Sequence, residues 1–109
     1  MTKILNLTPH EINLVLDDGR KIIFPPTDMV ARVELQHEIV DHIDGIPVFQ
    51  TNVGAVKDLP DPEDDTLYIV SSLVLGNCQD RKDLISPNTG GNAIRNSYNQ
   101  VLAVRGFKR

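Results

Sequence analysis

The sequence predicts an α+β fold that is mainly β: an antiparallel or mixed sheet with one short helix, in a single domain over residues 1–109. Three observations carry this. Two Asp-Gly pairs, Asp18-Gly19 and Asp44-Gly45, each stand between stretches of alternating apolar residues, the pattern of tight hairpins. Apolar residues, several of them β-branched, recur at period two, as in Ile12, Leu14 and Leu16 or Val33, Leu35 and Ile39. The apolar run Tyr68-Ile69-Val70 passes into Ser71-Ser72 and then Leu73-Val74-Leu75, which reads as a strand feeding a Ser-capped helix.

In chain order, Lys3 to Leu7 is apolar enough for a first strand. Thr8-Pro9-His10-Glu11 has the form of a capping box with proline at the first helical position. The alternation that follows favours a turn leading into a strand. Asp18-Gly19 turns that strand back along Lys21 to Phe24, which Pro25-Pro26 ends by removing two backbone donors. Val30 to Val40 forms a long strand with Val33, Leu35, His37 and Ile39 on one face, and Asp44-Gly45 returns it through Ile46 to Thr51. Pro47 marks an edge position. The segment Lys57 to Asp65, with two prolines and five acids, is an exposed loop. The helix runs from Ser72 to about Gln79, weakened by Gly76. Asp80 to Asn92 is a long connection, and Ala93-Arg95 pairs with Val101-Phe107 through Asn96 to Asn99. The expected core is Ile12, Leu14, Val33, Leu35, Val48, Ile69, Leu73 and Val104.

A 40% hydrophobic and 24% charged composition belongs to a soluble globular chain. No apolar run approaches the ~20 residues of a membrane-spanning helix, and the first residues lack a signal-peptide core, so a cytoplasmic protein that touches no membrane is expected. Cys78, the single cysteine, fits a reducing compartment. The net charge of −4 argues against general nucleic-acid binding. That charge is divided unevenly. Residues 1–66 carry 13 acids against 5 bases, and residues 67–109 carry 2 acids against 6 bases.

The segments Leu5-Asn6-Leu7-Thr8-Pro9-His10, Ala31-Arg32-Val33, Tyr68-Ile69-Val70-Ser71-Ser72-Leu73-Val74, Arg81-Lys82-Asp83-Leu84, Ser86-Pro87 and Val104-Arg105-Gly106-Phe107 resemble a group of small uncharacterised proteins common in bacteriophages and prophages. The resemblance spans nearly the whole chain. It implies a small binding or interfering protein acting in a bacterial host cytoplasm, and brings no catalytic residues with it.

Candidate ligand-binding residues are Ser71, Ser72, Arg81, Arg95, Arg105 and His10. A helix start within a basic segment favours an anion, and three arginines can grip a phosphate or carboxylate through paired hydrogen bonds. The plainer reading is that the serines only cap the helix, that Arg81 pairs with Asp83 or Asp80, and that the other arginines are solvated. No G-x-S-x-G elbow marks either serine as a nucleophile. His10, His37 and His42 lack metal-ligand spacing, so no metal and no cofactor is expected. His37 reads as half-buried with one hydrogen bond, and the His10 ring as holding its turn. Asp58, Asp61, Glu63, Asp64 and Asp65 lack the calcium-loop spacing. Cys78 reads as a buried inert thiol. Thr89-Gly90-Gly91-Asn92 lacks the Lys-Ser/Thr of a phosphate loop.

Three readings follow. One is a small non-catalytic binding protein that captures an anionic, nucleotide-like small molecule or docks on a host protein. The other is a small hydrolase or transferase using His10, an acid such as Asp83, and an arginine-lined anion site. A purely structural protein is the third. Exposed apolar sheet edges further suggest a homo-oligomer.

Overall fold

The computed structural model describes residues 2–91 and 93–109; Asn92, the last residue of the glycine-rich loop, lies outside them. The fold is mainly β with one short helix. Its centre is a four-stranded mixed sheet in the order β1 (Lys3–Asn6), β6 (Thr66–Ile69), β7 (Leu84–Pro87) and β10 (Phe107–Lys108). The strands β1, β6 and β7 are parallel, and β10 joins antiparallel. Parallel neighbours need a long crossover. Residues 70–83, with helix α1 (Ser72–Asn77), supply it between β6 and β7.

This centre explains the non-alternating run Tyr68-Ile69-Val70. A strand flanked on both sides and covered on both faces has no polar face, so it reads as continuous apolar sequence. Tyr68, Ile69 and Val70 are all buried. On one face Tyr68 and Val70 pack with Leu7, Ala31, Val74 and Leu84. By strand alternation Asn6, Ile69 and Ile85 turn to the other. The segment expected to be a long connection thus contains β7, with Leu84, Ile85 and Ser86 buried.

Both expected hairpins form. Strands β2 (Ile12–Val15) and β3 (Lys21–Phe24) pair around Asp17-Asp18-Gly19, where Gly19 takes a positive φ of 89°. The Val15 and Val104 backbones bond at 2.9 Å, which ties this hairpin to the C-terminal segment. Strands β4 (Arg32–Ile43) and β5 (Ile46–Lys57) turn at Asp44-Gly45, both at positive φ, as a two-residue turn of this hand requires. Each strand has 12 residues, longer than expected from sequence. The final pair is short, β8 (Ile94–Arg95) with β9 (Val101–Ala103), because Phe107 leaves it to pair with β7.

The β4–β5 hairpin projects as an arm. The radius of gyration is 17.0 Å, against about 13 Å for a compact chain of this length. Its base reaches the core through Val33 and Val56. Leu35, expected in the core, is therefore 45% exposed, and His37 is exposed as well. Ile12, Val33 and Val48 are half-buried, whereas Leu14, Ile69 and Val104 are buried as expected.

Helix α1 ends at Asn77, earlier than Gln79, with the Cys78 amide bonded to the Leu75 carbonyl. One turn and a half can present only one side to the sheet. Val74 takes the buried place, so Leu73, expected in the core, is 44% exposed. Val74→Ala should cost about 2 kcal/mol of stability, from lost burial and the cavity left behind. Leu73→Ala should cost less than about 1 kcal/mol. Urea unfolding of the two variants checks which side of the helix faces the sheet, and a larger loss for Leu73→Ala would reverse it.

Candidate functional site

Helix α1, the turn after it, the start of β7 and the end of β10 border an open cavity of about 380 Å³. Its apolar wall comes from Leu75, Cys78 and the buried Leu84. Its polar lining comprises Ser72, Gln79, Arg81, Lys82, Lys108 and Arg109. Four of these carry positive charge, and no acidic residue is among the lining residues. Strand β10 brings the C-terminal basic residues to α1 by pairing Lys108 with Ser86, whose hydroxyl lies 3.5 Å from that of Ser72.

Arg81 has a second task. Its Nε and Nη2 donate to the two carboxylate oxygens of Asp83, each at 2.8 Å, and Nη2 also donates to the Pro60 carbonyl at 2.9 Å. Both side chains are more than four-fifths buried. Those paired hydrogen bonds hold the Asp83 carboxyl below its ordinary range, against the opposing effect of burial. They likewise raise Arg81. The pair also pins the acidic loop, whose Asp61 carbonyl accepts from the Tyr68 hydroxyl at 3.2 Å. Burial foremost, then the negative charge of Glu63 and Asp83, pushes that phenol up.

The depressed Asp83 carboxyl fixes the sign of a pH effect. Its stabilisation is complete above the unfolded carboxylate value near ~4 and is lost as pH falls through the lower folded value. Denaturation at pH 7 and across pH 4 to 2 should show the gap between the protein and Asp83→Asn narrowing with acid. A gap unchanged over that range would contradict the assignment.

The other expected site residues lie elsewhere. Ser71 is the N-cap of α1, its hydroxyl accepting from the Val74 amide at 3.2 Å, so the plainer reading holds for it. Arg95 is exposed and donates to the Asn99 and Thr89 carbonyls at 2.9 and 3.0 Å. Arg105 is exposed between β9 and β10. Neither lines the basic cavity, so the three arginines do not meet there. Thr89 instead borders a second, smaller cavity of about 170 Å³ with Glu11, Pro87 and Val101.

His10 is exposed and lines neither cavity. Its backbone carbonyl, not its ring, holds the turn, accepting from Asn6 Nδ2 at 2.8 Å. The same nitrogen donates to the Phe24 carbonyl at 2.9 Å, while Asn6 Oδ1 accepts from the Thr8 amide and hydroxyl at 2.9 and 2.6 Å. Thr27 closes the set by donating to the Asn6 carbonyl. The Leu-Asn-Leu-Thr-Pro-His segment is thus a structural knot, and the capping box does not start a helix. His37 Nδ1 pairs with Thr51 Oγ1 at 2.9 Å on the exposed arm. Cys78 is half-buried in the cavity wall rather than buried in the core.

Among the described residues no cluster of His, Cys, Asp or Glu could hold a metal ion. None of their helices is long and apolar enough to cross a membrane. Of the expected set the cavity unites Ser72 and Arg81 and adds Lys82, Lys108 and Arg109. These three stood in the basic segment but carried no motif of their own. The signal available was the pair of doublets Arg81-Lys82 and Lys108-Arg109 in a stretch almost free of acid. Comparison with family models, with curated proteins and with solved structures finds no match to this chain.

Proposed function

We propose that the protein is a small non-catalytic binding protein of phage or prophage type that captures an anionic, nucleotide-like small molecule. The supporting observation is the 380 Å³ cavity lined by Ser72, Lys82, Lys108 and Arg109 with an apolar wall and no acid. That volume is at the small end of ligand sites, about 300–1,000 Å³, and suits a mononucleotide. With the Arg81 fork closed on Asp83, the charge that would meet a phosphate belongs to Lys82, Lys108 and Arg109. The lysines act as point charges and Arg109 as a planar fork. Leu75 and the half-buried Cys78 offer an apolar wall for a base or another flat group.

Calorimetry at low salt with nucleoside mono- and diphosphates and with inorganic phosphate tests this reading. Lys82 and Lys108 are exposed, so solvent screens each contact to ~0.2–1 kcal/mol, and binding should weaken by about 2- to 30-fold in Lys82→Ala/Lys108→Ala. It should also weaken as salt rises. His10→Ala should leave it unchanged, since that residue is outside the cavity. Equal binding by protein and double variant, or no binding across the panel, would overturn the proposal.

A further inference from the structure

We infer that the projecting β4–β5 arm is a dimerisation surface whose occupant is the same arm of a second copy, packed face to face about a two-fold axis through the His37–Thr51 pair. The register puts Leu35 opposite Val53, His37 opposite Thr51 and Ile39 opposite Phe49. Period-two alternation sets these three pairs on one face. That face has no formal charge, whereas the reverse face carries Gln36, Glu38, Gln50 and Asn52. A single arm buries neither. Ile39 is 52% exposed and Phe49 61%. The outward face continues from Val33 and Val56, which pack on the core at the base, so it is core-like surface left about half exposed among the described residues.

The pattern is complementary to itself. The polar His37–Thr51 pair stands midway between two apolar pairs. Rotation by a half-turn about that midpoint lays Leu35 and Val53 of one copy over Ile39 and Phe49 of the other, as an isologous contact demands. Two sheets packed this way stand about 10 Å apart with side chains interleaved. With Val40, the extra residue at the β4 bulge, the face holds five apolar residues that are 45–61% exposed, on the order of 400–500 Å² together. That is the apolar share of a standard interface of about 800 Å² per partner. A neutral apolar face also disfavours a charged occupant, since any charge set there would be desolvated without a partner.

Sedimentation of the full chain and of two charge variants tests this. The unaltered protein should sediment as a dimer. His37→Glu and His37→Lys should each sediment as folded monomers, because the half-turn brings like charges together at the axis. An equimolar mixture of the two should recover the dimer mass. His37 is exposed, so both variants should remain folded, which near-identical circular dichroism spectra would verify. A monomeric unaltered protein, variants that remain dimeric, or a mixture that stays monomeric would each overturn the inference. The arm does not line the basic cavity, so anion binding stands or falls separately.

Discussion

Asn6→Asp should be the most damaging single-atom change in the chain, lowering stability by about 4 kcal/mol or more at neutral pH. Asn6 is 1% exposed, and its amide nitrogen donates to two carbonyls, of His10 and Phe24. An aspartate would set a carboxylate oxygen against both, without the hydrogens that now join them. The oxygen facing Thr8 would still accept its two bonds, so the loss arises on the nitrogen side. Such a carboxyl would take up a proton in the folded state more readily than in the unfolded one. The deficit should therefore shrink as pH falls toward the unfolded value near ~4. Asn6→Ala, which leaves neutral groups unpaired, should cost less, about 2–3 kcal/mol. For a domain of this size, 4 kcal/mol corresponds to a fall of roughly 15–30 °C in the thermal midpoint. A midpoint for Asn6→Asp within a few degrees of the unaltered protein would mean that the knot does not hold the β1 end, the β3 end and the Thr27 loop together.

Arg81→Ala should follow closely, at about 3–5 kcal/mol, the range for removing one partner of a buried ion pair. The loss has two sources. Asp83 would keep a largely buried charge without its fork, and the Pro60 carbonyl would lose its donor. The test is the pair of substitutions together. Arg81→Met with Asp83→Leu removes both charges and keeps apolar volume, so it should restore most of the loss, leaving a deficit of about 1–2 kcal/mol from the Pro60 side. If the double variant were as unstable as Arg81→Ala, packing rather than the unpaired carboxylate would be the cause.

How far these features could be read from sequence depends on whether their cause is local. The turns at Asp18-Gly19 and Asp44-Gly45 and the Ser71 cap depend on a few consecutive residues, and each formed as expected. Strand β7 was hidden because four residues, Leu84–Pro87, present no period of their own. Its identity comes from pairing with Tyr68 and Ile69, far back in the chain. Leu35 and Ile39 alternate as a half-buried strand should, yet they are 45% and 52% exposed. Alternation reports that a face is apolar and cannot say what covers it. For the site, the basic segment was legible as a composition, and Ser72 with Arg81 fell inside it. The geometry that set Arg95 and Arg105 apart, and brought Lys108 and Arg109 beside α1, is a property of β10 crossing back to β7. The Arg81-Asp83 spacing was visible; that the pair is buried, and so structural, was not.

The most direct test of the basic cavity as the binding site is an NMR titration of the isotope-labelled protein with a nucleoside diphosphate at low salt. The account predicts that the amides of Ser72, Gly76, Gln79, Lys82 and Lys108, all around the cavity, shift progressively and saturate together. Those of His10, Arg95 and Thr89 should stay in place. Saturating shifts centred on His10 or Arg95, with the cavity amides unmoved, would contradict it.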